Sequence, residues 1–162
     1  MSRLSRSLLE SLIIRSARAD DLPHIVALFA ADELGGHGDT TDPAAADDYL
    51  RAFEAISASP NDSLYIAELD GEVVGTFQTT LTATLSGRGA TNMTIEAVQT
   101  RSDLRGRGIG AAMIRFAIDL AREAGARQVQ LTSNAVRVDA HRFYERLGFQ
   151  KSHVGFKMRL WQ

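Results

Sequence analysis

Apolar side chains recur along the chain at two spacings, and each spacing predicts a different kind of element. In the second half of the chain every third or fourth position is apolar, on the stripe Ile109, Met113, Phe116, Ala117, Leu120 and Ala124. This is the spacing of one face of an α-helix. Comparable patterns and end signals predict helices over residues 20–32, 44–57, 108–124 and 139–147. Gly125 and Gly148 follow the last two, where a left-handed residue commonly ends a helix.

Elsewhere apolar and polar side chains alternate, as they do along a β-strand. The longest alternation follows Asp70-Gly71, a dipeptide typical of a hairpin turn. It places Val73, Phe77 and Leu81 on one face and threonines on the other, where they would border a polar pocket or face water. The predicted strands cover residues 12–15, 64–69, 72–85, 91–100 and 128–132, with one or two closing strands within 149–160. This order predicts an α/β or α+β domain in which helices cover a mixed sheet.

Length and composition narrow the class of protein. The 162 residues contain no repeat or linker, so we expect a single domain over residues 1–162. A net charge of −2 gives no electrostatic support for nucleic-acid binding. The absence of cysteine excludes disulfides, thiolate metal sites and a cysteine nucleophile. No stretch approaches the roughly 20 apolar residues of a membrane span, and residues 1–12 do not form a signal sequence. We therefore expect a soluble, cytoplasmic protein.

The strongest local signal is Arg105-Gly106-Arg107-Gly108-Ile109-Gly110, between a predicted strand and a predicted helix. Glycines allow the backbone to approach a ligand closely. A helix N-terminus offers unpaired N–H donors and a partial positive charge, which suit a pyrophosphate. Arg101, Arg105 and Arg107 would add charge-assisted contacts. The alternative is a tight glycine turn with solvated arginines.

Two other phosphate-binding loops fit this segment less well. A Walker loop ends in Gly-Lys-Ser or Gly-Lys-Thr, which this chain lacks. Gly106, Gly108 and Ala111 match the dinucleotide fingerprint G-x-G-x-x-A, but that fingerprint expects a carboxylate about 20 residues later. The next predicted strand ends in Leu131-Thr132-Ser133-Asn134, which contains no carboxylate.

Three segments together resemble the GCN5-related N-acetyltransferase (GNAT) superfamily. Residues 105–110 fit its R/Q-x-x-G-x-G/A loop in full, and residues 139–149 (DAHRFYERLGF) are similar to its closing helix. Residues 70–75 (DGEVVG) resemble the hairpin between its second and third strands. The resemblance covers about residues 12–160 and leaves 1–11 as an N-terminal extension. Residues 131–149 and Ser152-His153 most resemble aminoalkylphosphonate acetyltransferases and uncharacterised bacterial small-molecule N-acetyltransferases.

The resemblance implies a single-domain GNAT fold with a mixed, mainly antiparallel sheet, about four flanking helices and strands that splay at the donor site. It implies acetyl-CoA as cosubstrate and no metal. The backbone of the loop would hold the pyrophosphate, and the strand before it would pair with the pantetheine arm, as in strand addition to a sheet edge. The implied donor-binding residues are Val98, Gln99, Thr100, Arg105, Gly106, Arg107, Gly108, Ile109, Gly110 and Asn134. Asn134 is equally suited to be a turn or helix cap.

Glu96 is the candidate general base, because in some members of the superfamily a glutamate at this place accepts the proton, often through water. It lies on the strand that leads into the loop, among the apolar residues Ile95, Ala97 and Val98. We expect this setting to bury it in part and so to raise its pKa. The alternative is a solvent-facing glutamate or one paired with an arginine. His24, His37 and His153 lie outside these motifs.

Tyr144 is the candidate general acid, since the family pattern points this hydroxyl at the CoA sulfur. On spacing alone, Ala140, Phe143, Tyr144 and Leu147 form a helical stripe, which indicates a core aromatic residue with a hydrogen-bonded hydroxyl. Arg137 and Arg142 are expected to lie on the surface, with contact to CoA phosphates as the alternative. His141 is expected to serve structure rather than catalysis.

The predicted activity is acetyl transfer to a primary amine of a small molecule. A protein or peptide acceptor, a non-catalytic acyl-CoA-binding module and a nucleotide-binding regulator are the alternatives, the last disfavoured by the missing carboxylate. Asp39 and Asp42, in the predicted loop 34–43, would attract an ammonium group or simply be solvated. A homodimer is compatible with the sequence.

Overall fold

The computed structural model describes residues 3–33 and 38–160 and shows an α/β domain. Its helices are α1 (Arg3–Glu10), α2 (Leu22–Ala30), α3 (Ala46–Ala58), the single turn α4 (Ser86–Gly89), α5 (Ile109–Glu123) and α6 (Val138–Arg146). Its strands are β1 (Ile13–Ser16), β2 (Asp62–Leu69), β3 (Glu72–Ala83), β4 (Thr91–Thr100) and β5 (Gln128–Leu131). Of the predicted loop 34–43, residues 34–37, and with them His37, lie outside the described residues.

The five strands form one sheet in the order β1-β2-β3-β4-β5. All neighbours are antiparallel except β4 and β5, which are parallel. The predicted mixed, mainly antiparallel sheet is therefore confirmed, and α2, α3, α5 and α6 are the four predicted helices. Among the described residues no helix is long and apolar enough to cross a membrane.

Both faces of the sheet are covered by helices. Phe77 stacks on Tyr65 with 5.1 Å between ring centroids, and both rings meet Phe116 of α5 edge-on. The alternate residues Ile66 and Thr76 point to the opposite face, where they too are fully buried. There α2 packs across β3 and β4. At Thr76 the threonine face is therefore buried, and it neither borders a polar pocket nor faces water. The Thr76 hydroxyl donates to the Tyr65 carbonyl over 2.8 Å.

The closing strands predicted within residues 149–160 are wrong for the described chain. This segment contains no strand, and its residues from 150 onward are exposed. Apolar and other residues do alternate in this segment, but no described strand pairs with its backbone. The structure adds α1 in the stretch 1–11 that the sequence left as an extension, and β3 ends at Ala83 rather than at residue 85.

Candidate active site

The centre of the candidate site is an opening between β4 and β5. The two strands pair from Asn92 opposite Gln128 to Ile95 opposite Leu131, where β5 ends while β4 continues to Thr100. A bulge at Ala97, with φ of +51°, lets two residues of β4 lie opposite one residue of β3. The edge of β4 that faces away from β3 is therefore unpaired by any described strand beyond Ile95. Such an edge can take up an extended ligand.

The glycine loop continues directly from this edge. Gly106 and Gly108 adopt φ of +74° and +92°, which only glycine adopts at low cost. From Gly106 to Ala111 no backbone N–H donates to an acceptor in the described part of the chain, and the first that does is Ala112, to the Gly108 carbonyl over 3.0 Å. These successive free donors lie at the N-terminus of α5, where the helix dipole favours anions. The loop therefore fits a pyrophosphate.

The arginines around the loop divide into two kinds. Arg105 and Arg107 are exposed, and Arg105 donates only to the Thr100 carbonyl over 3.3 Å. Arg101, which the sequence offered as a third phosphate contact, is instead held by Glu72 at 2.7 Å and Asp103 at 2.8 Å. Its charge is already balanced, so Arg105 and Arg107 are the better phosphate partners.

The closing helix docks onto the same loop, so the two sequence motifs meet. A Cβ on Gly110 would lie 3.3 Å from Cζ of Phe143 and 3.6 Å from the Thr100 hydroxyl, so the bare glycine lets α6 approach α5 closely. On the other side, a Cβ on Gly108 would lie 3.2 Å from a methyl carbon of Leu9 on α1. No sequence motif predicted this contact with α1.

Tyr144 lies next to Phe143 in this cluster. Its ring meets those of Phe143 and Phe149 edge-on, with centroids 5.1 and 5.8 Å away. Burial raises the pKa of the Tyr144 hydroxyl above its ordinary value, and the positive charge of Arg137 opposes that rise. The hydroxyl forms no hydrogen bond with any described residue. A purely structural core tyrosine is expected to have such a bond, so this hydroxyl remains available to a ligand.

Glu96 lies one residue beyond the last pair between β4 and β5, opposite Gln78 of β3. Its side chain is exposed, so the expected partial burial is wrong. β5 ends at Leu131, so no described strand lies beside Glu96 on this side of β4. No described arginine pairs with Glu96 either. The structure thus places an accessible carboxylate where the opening begins.

Sequence reasoning missed a polar bridge across the opening. Asp32, just after α2, accepts from Gln99 Nε2 on β4 over 2.7 Å and from Arg137 Nη2 over 2.5 and 2.7 Å. The Asp32 side chain is only 9% exposed. Arg137 thus remains 25% exposed, as expected of a residue near the surface, but it is held by an ion pair that the sequence did not predict. No sequence signal could have found this bridge, because 105 residues separate Asp32 from Arg137.

The remaining predicted polar residues serve local structure. Asn134 Oδ1 accepts from the Val136 amide over 3.1 Å, as in a turn cap, and its carbonyl lies 2.9 Å from His141 Nε2. Asp39 accepts from the Tyr49 hydroxyl over 3.0 Å, and Asp42 caps a short 3-10 turn through the Ala44 amide. The side-chain amide nitrogen of Asn134 is still available to a ligand in the cleft.

A cavity of about 460 Å³ lies beside the opening, between α2 and the ends of β3 and β4. It shares Thr100 and Arg105 with the candidate donor site. Its other arginines are paired, Arg15 with Asp21 and Glu68, and Arg101 with Glu72 and Asp103. The Arg15 guanidinium holds the pKa of Asp21 below its usual value. These ion pairs hold the side chains that line the cavity in place. No group of three or more possible metal ligands occurs among the described residues.

Residues 22–149 match the acetyltransferase (GNAT) family. The chain belongs to this family. The GNAT chain is 34% identical to aminoalkylphosphonate N-acetyltransferase of Salmonella typhimurium over 108 residues, 67% of this chain and 70% of that one. It is 30% identical to streptothricin acetyltransferase of Streptomyces lavendulae over 141 residues, 86% of this chain and 64% of that one.

A transcriptional regulator from Bacillus halodurans C-125 has a similar solved structure, with 40% sequence identity and a TM-score of 0.89 over 92% of this chain and 99% of that one. The predicted fold is thereby confirmed. The chain is an acyltransferase, a GNAT N-acetyltransferase with acetyl-CoA as its cosubstrate. The free amides of the loop and the open edge of β4 are where this cosubstrate fits best.

Substitution of Gly108 tests the donor site. We expect wild-type protein to bind acetyl-CoA with micromolar affinity, about 8 kcal/mol, and Gly108→Asp to weaken it at least about 100-fold. The added side chain would crowd Leu9 of α1, and its negative charge would lie next to the phosphate loop. Gly125→Asp is the matched control, because Gly125 also has positive φ, +68°, with open space around it. Calorimetry gives both affinities. Equal affinity in the two variants, both folded, would contradict the assignment of the loop.

Proposed function

We propose that this GNAT enzyme acetylates a primary amine of a small molecule, with Glu96 as base and Tyr144 as acid. The observation that carries the proposal is the opening between β4 and β5, which has an accessible carboxylate at its inner end and an unpaired tyrosine hydroxyl in the cluster beside the phosphate loop. Acetyl-CoA supplies the activated acyl group. The protein must then position the amine, take up its proton and protonate the departing sulfur.

The proposed step is direct attack of the amine on the thioester of acetyl-CoA. The amine nitrogen bonds to the carbonyl carbon while the bond between that carbon and sulfur breaks. Glu96 takes the proton that the nitrogen loses, directly or through one water, and the Tyr144 hydroxyl gives its proton to the sulfur. A proton returns from Glu96 to Tyr144 through solvent before the next turnover. The Tyr144 hydroxyl, whose pKa is raised by burial, is protonated at neutral pH and so has a proton to give.

The bridge formed by Asp32 and Arg137 supports a small acceptor. Asp32 and Arg137 now pair with each other, so an acceptor that carries both an ammonium and an acidic group would bind there by exchanging this ion pair for one contact to each side chain. The related Salmonella enzyme is named for aminoalkylphosphonates and the Streptomyces enzyme for streptothricin, and both names denote small molecules. Acetylation of a peptide and non-catalytic binding of acyl-CoA are the other outcomes of the test.

The function is tested by the release of free CoA from acetyl-CoA in the presence of a panel of amines. We expect turnover with small amines, and a lower KM for aminoalkylphosphonates or amino acids than for uncharged alkylamines of equal length. Turnover with peptides alone would indicate a protein acceptor. Donor binding without release of CoA under any condition would indicate a binding module.

Glu96→Gln tests the base. The amide keeps the size of the side chain but cannot take up a proton, so turnover at neutral pH should fall about 100-fold or more, as for other general bases. The loss should shrink at high pH, where more of the amine is already neutral. Acetyl-CoA affinity should stay unchanged.

Glu54→Gln, at an exposed position on α3, is the matched control and should turn over like wild type. Steady-state rates across pH compare the three proteins. If Glu96→Gln also turns over like wild type at neutral pH, Glu96 is not the base.

Tyr144→Phe tests the acid. The ring and its packing remain, and the structure shows no hydrogen bond that the change would break, so melting temperature and donor affinity should stay near wild type. Turnover should fall at least about tenfold. The ratio of wild-type to mutant turnover should hold at neutral pH and decline only at strongly alkaline pH, because burial raises the pKa of the Tyr144 hydroxyl above its ordinary value.

Tyr65→Phe removes a hydroxyl from another packed aromatic residue, on β2, and should leave turnover unchanged. Rates and melting curves are measured on the same preparations. A Tyr144→Phe protein with lower stability but full turnover per folded molecule would give Tyr144 a structural role only.

A further inference from the structure

The three glycines of the phosphate loop differ in what surrounds them. No described atom lies within 4 Å of a Cβ built on Gly106, so that part of the loop is open. A Cβ on Gly110 would meet Phe143 of α6. For a Cβ on Gly108, the three nearest atoms all belong to Leu9 of α1, namely Cδ1 at 3.2 Å, Cδ2 at 3.7 Å and Cγ at 3.9 Å. Two helices from opposite ends of the chain therefore contact the loop.

The helix α1 has a fixed place beside this loop. Only two residues separate it from β1, which pairs with β2 in the sheet. Leu8 and Leu12 pack against the buried cluster that also contains Leu104, which precedes the loop, and Ile109, which lies in it. The hydrophobic core therefore holds α1, and with it Leu9, against the loop.

The phosphate loop depends on such contacts because its own amides do not fix its shape. From Gly106 to Ala111 no backbone N–H donates to an acceptor in the described chain. Glycine also has more backbone freedom than any other residue. Leu9 contacts the loop at Gly108, the residue that immediately precedes the first turn of α5. A site whose conformation is fixed before the ligand arrives binds that ligand more tightly.

We propose that Leu9 is a positioning residue for the donor. Its aliphatic side chain has no polar group to offer to acetyl-CoA, so it acts through Gly108: it holds this glycine in place, and the amides of the loop point at the pyrophosphate before the donor binds. The proposal rests on the assignment of the loop to the pyrophosphate. It gives α1, which the sequence left as an extension, a part in donor binding.

A donor without phosphates separates this role from a general effect on the fold. Acetyl-pantetheine carries the same thioester and the same extended arm as acetyl-CoA, but it lacks the pyrophosphate and the nucleotide. The arm pairs with the edge of β4 and not with the loop. Loss of the contact between Leu9 and Gly108 should therefore weaken the binding of acetyl-CoA and leave that of acetyl-pantetheine unchanged.

Calorimetry with three variants of the full chain tests the proposal. Leu9→Ala should raise the dissociation constant of acetyl-CoA about tenfold, because the loop then becomes ordered only when the donor binds. The dissociation constant of acetyl-pantetheine, measured by competition with acetyl-CoA, should not change. Leu9→Val, a milder truncation, should give an intermediate loss. Leu9→Met, which keeps an apolar side chain of similar volume, should bind both donors like wild type.

Leu69→Ala is the matched control, because Leu69 packs in part against the same buried cluster but lies on β2. It should lower the melting temperature and leave both dissociation constants unchanged. An equal loss of acetyl-CoA affinity in Leu69→Ala, or an equal loss for the two donors in Leu9→Ala, would overturn the proposal.

Gly108→Asp separates the two ways in which the proposal can fail. If Gly108→Asp weakens acetyl-CoA binding while Leu9→Ala and Leu9→Val bind like wild type, the loop holds the pyrophosphate and only the role of Leu9 is wrong. If Gly108→Asp also binds acetyl-CoA like wild type, the assignment of the loop is wrong and the role of Leu9 fails with it.

Discussion

The separation of β4 from β5 beyond Ile95 and Leu131 is the constraint on which the rest of the site depends. While the strands are paired, their backbone groups satisfy one another; once they part, those of β4 need another partner. The bulge at Ala97 redirects β4 at this point. β4 then leads into the glycine loop, where the backbone amides from Gly106 to Ala111 also have no hydrogen-bond acceptor in the described chain. We therefore propose that this one opening takes both the pantetheine arm and the phosphates of the cosubstrate.

The elements around the opening are held in place by contacts that leave it accessible. Gly110 lets Phe143 bring α6 against the start of α5, which places Tyr144 near the loop. Asp32 connects α2 to β4 through Gln99 and to the approach to α6 through Arg137. The cost of leaving backbone donors without protein partners is offset by packing elsewhere in the sheet, chiefly around Phe77 and Met113. A bound ligand would accept hydrogen bonds from these donors.

The sequence predicted the parts that depend on local patterns. The stripe from Ile109 to Ala124 indicated α5, and residues 91–100 matched β4 to the residue. The sequence did not predict the features that depend on contacts between residues far apart in the chain. Whether Glu96 is buried depends on where β5 ends, and Arg137 is paired with a carboxylate 105 residues away. The alternation in 149–160 predicted closing strands that the described chain does not form, because a local pattern cannot show whether a strand edge pairs with it.

Backbone amide hydrogen exchange with and without acetyl-CoA tests the central claim most directly, because it reports on the free donors themselves. On saturation with acetyl-CoA, the amides from Gly106 to Ala111, and those of Val98 to Thr100 that face the opening, should exchange more slowly. Amides in α3 should be unaffected, since α3 packs against β2, away from the opening. Protection confined to the cavity lined by His24, Leu28 and Arg101, with exchange of the loop amides unchanged, would contradict the account.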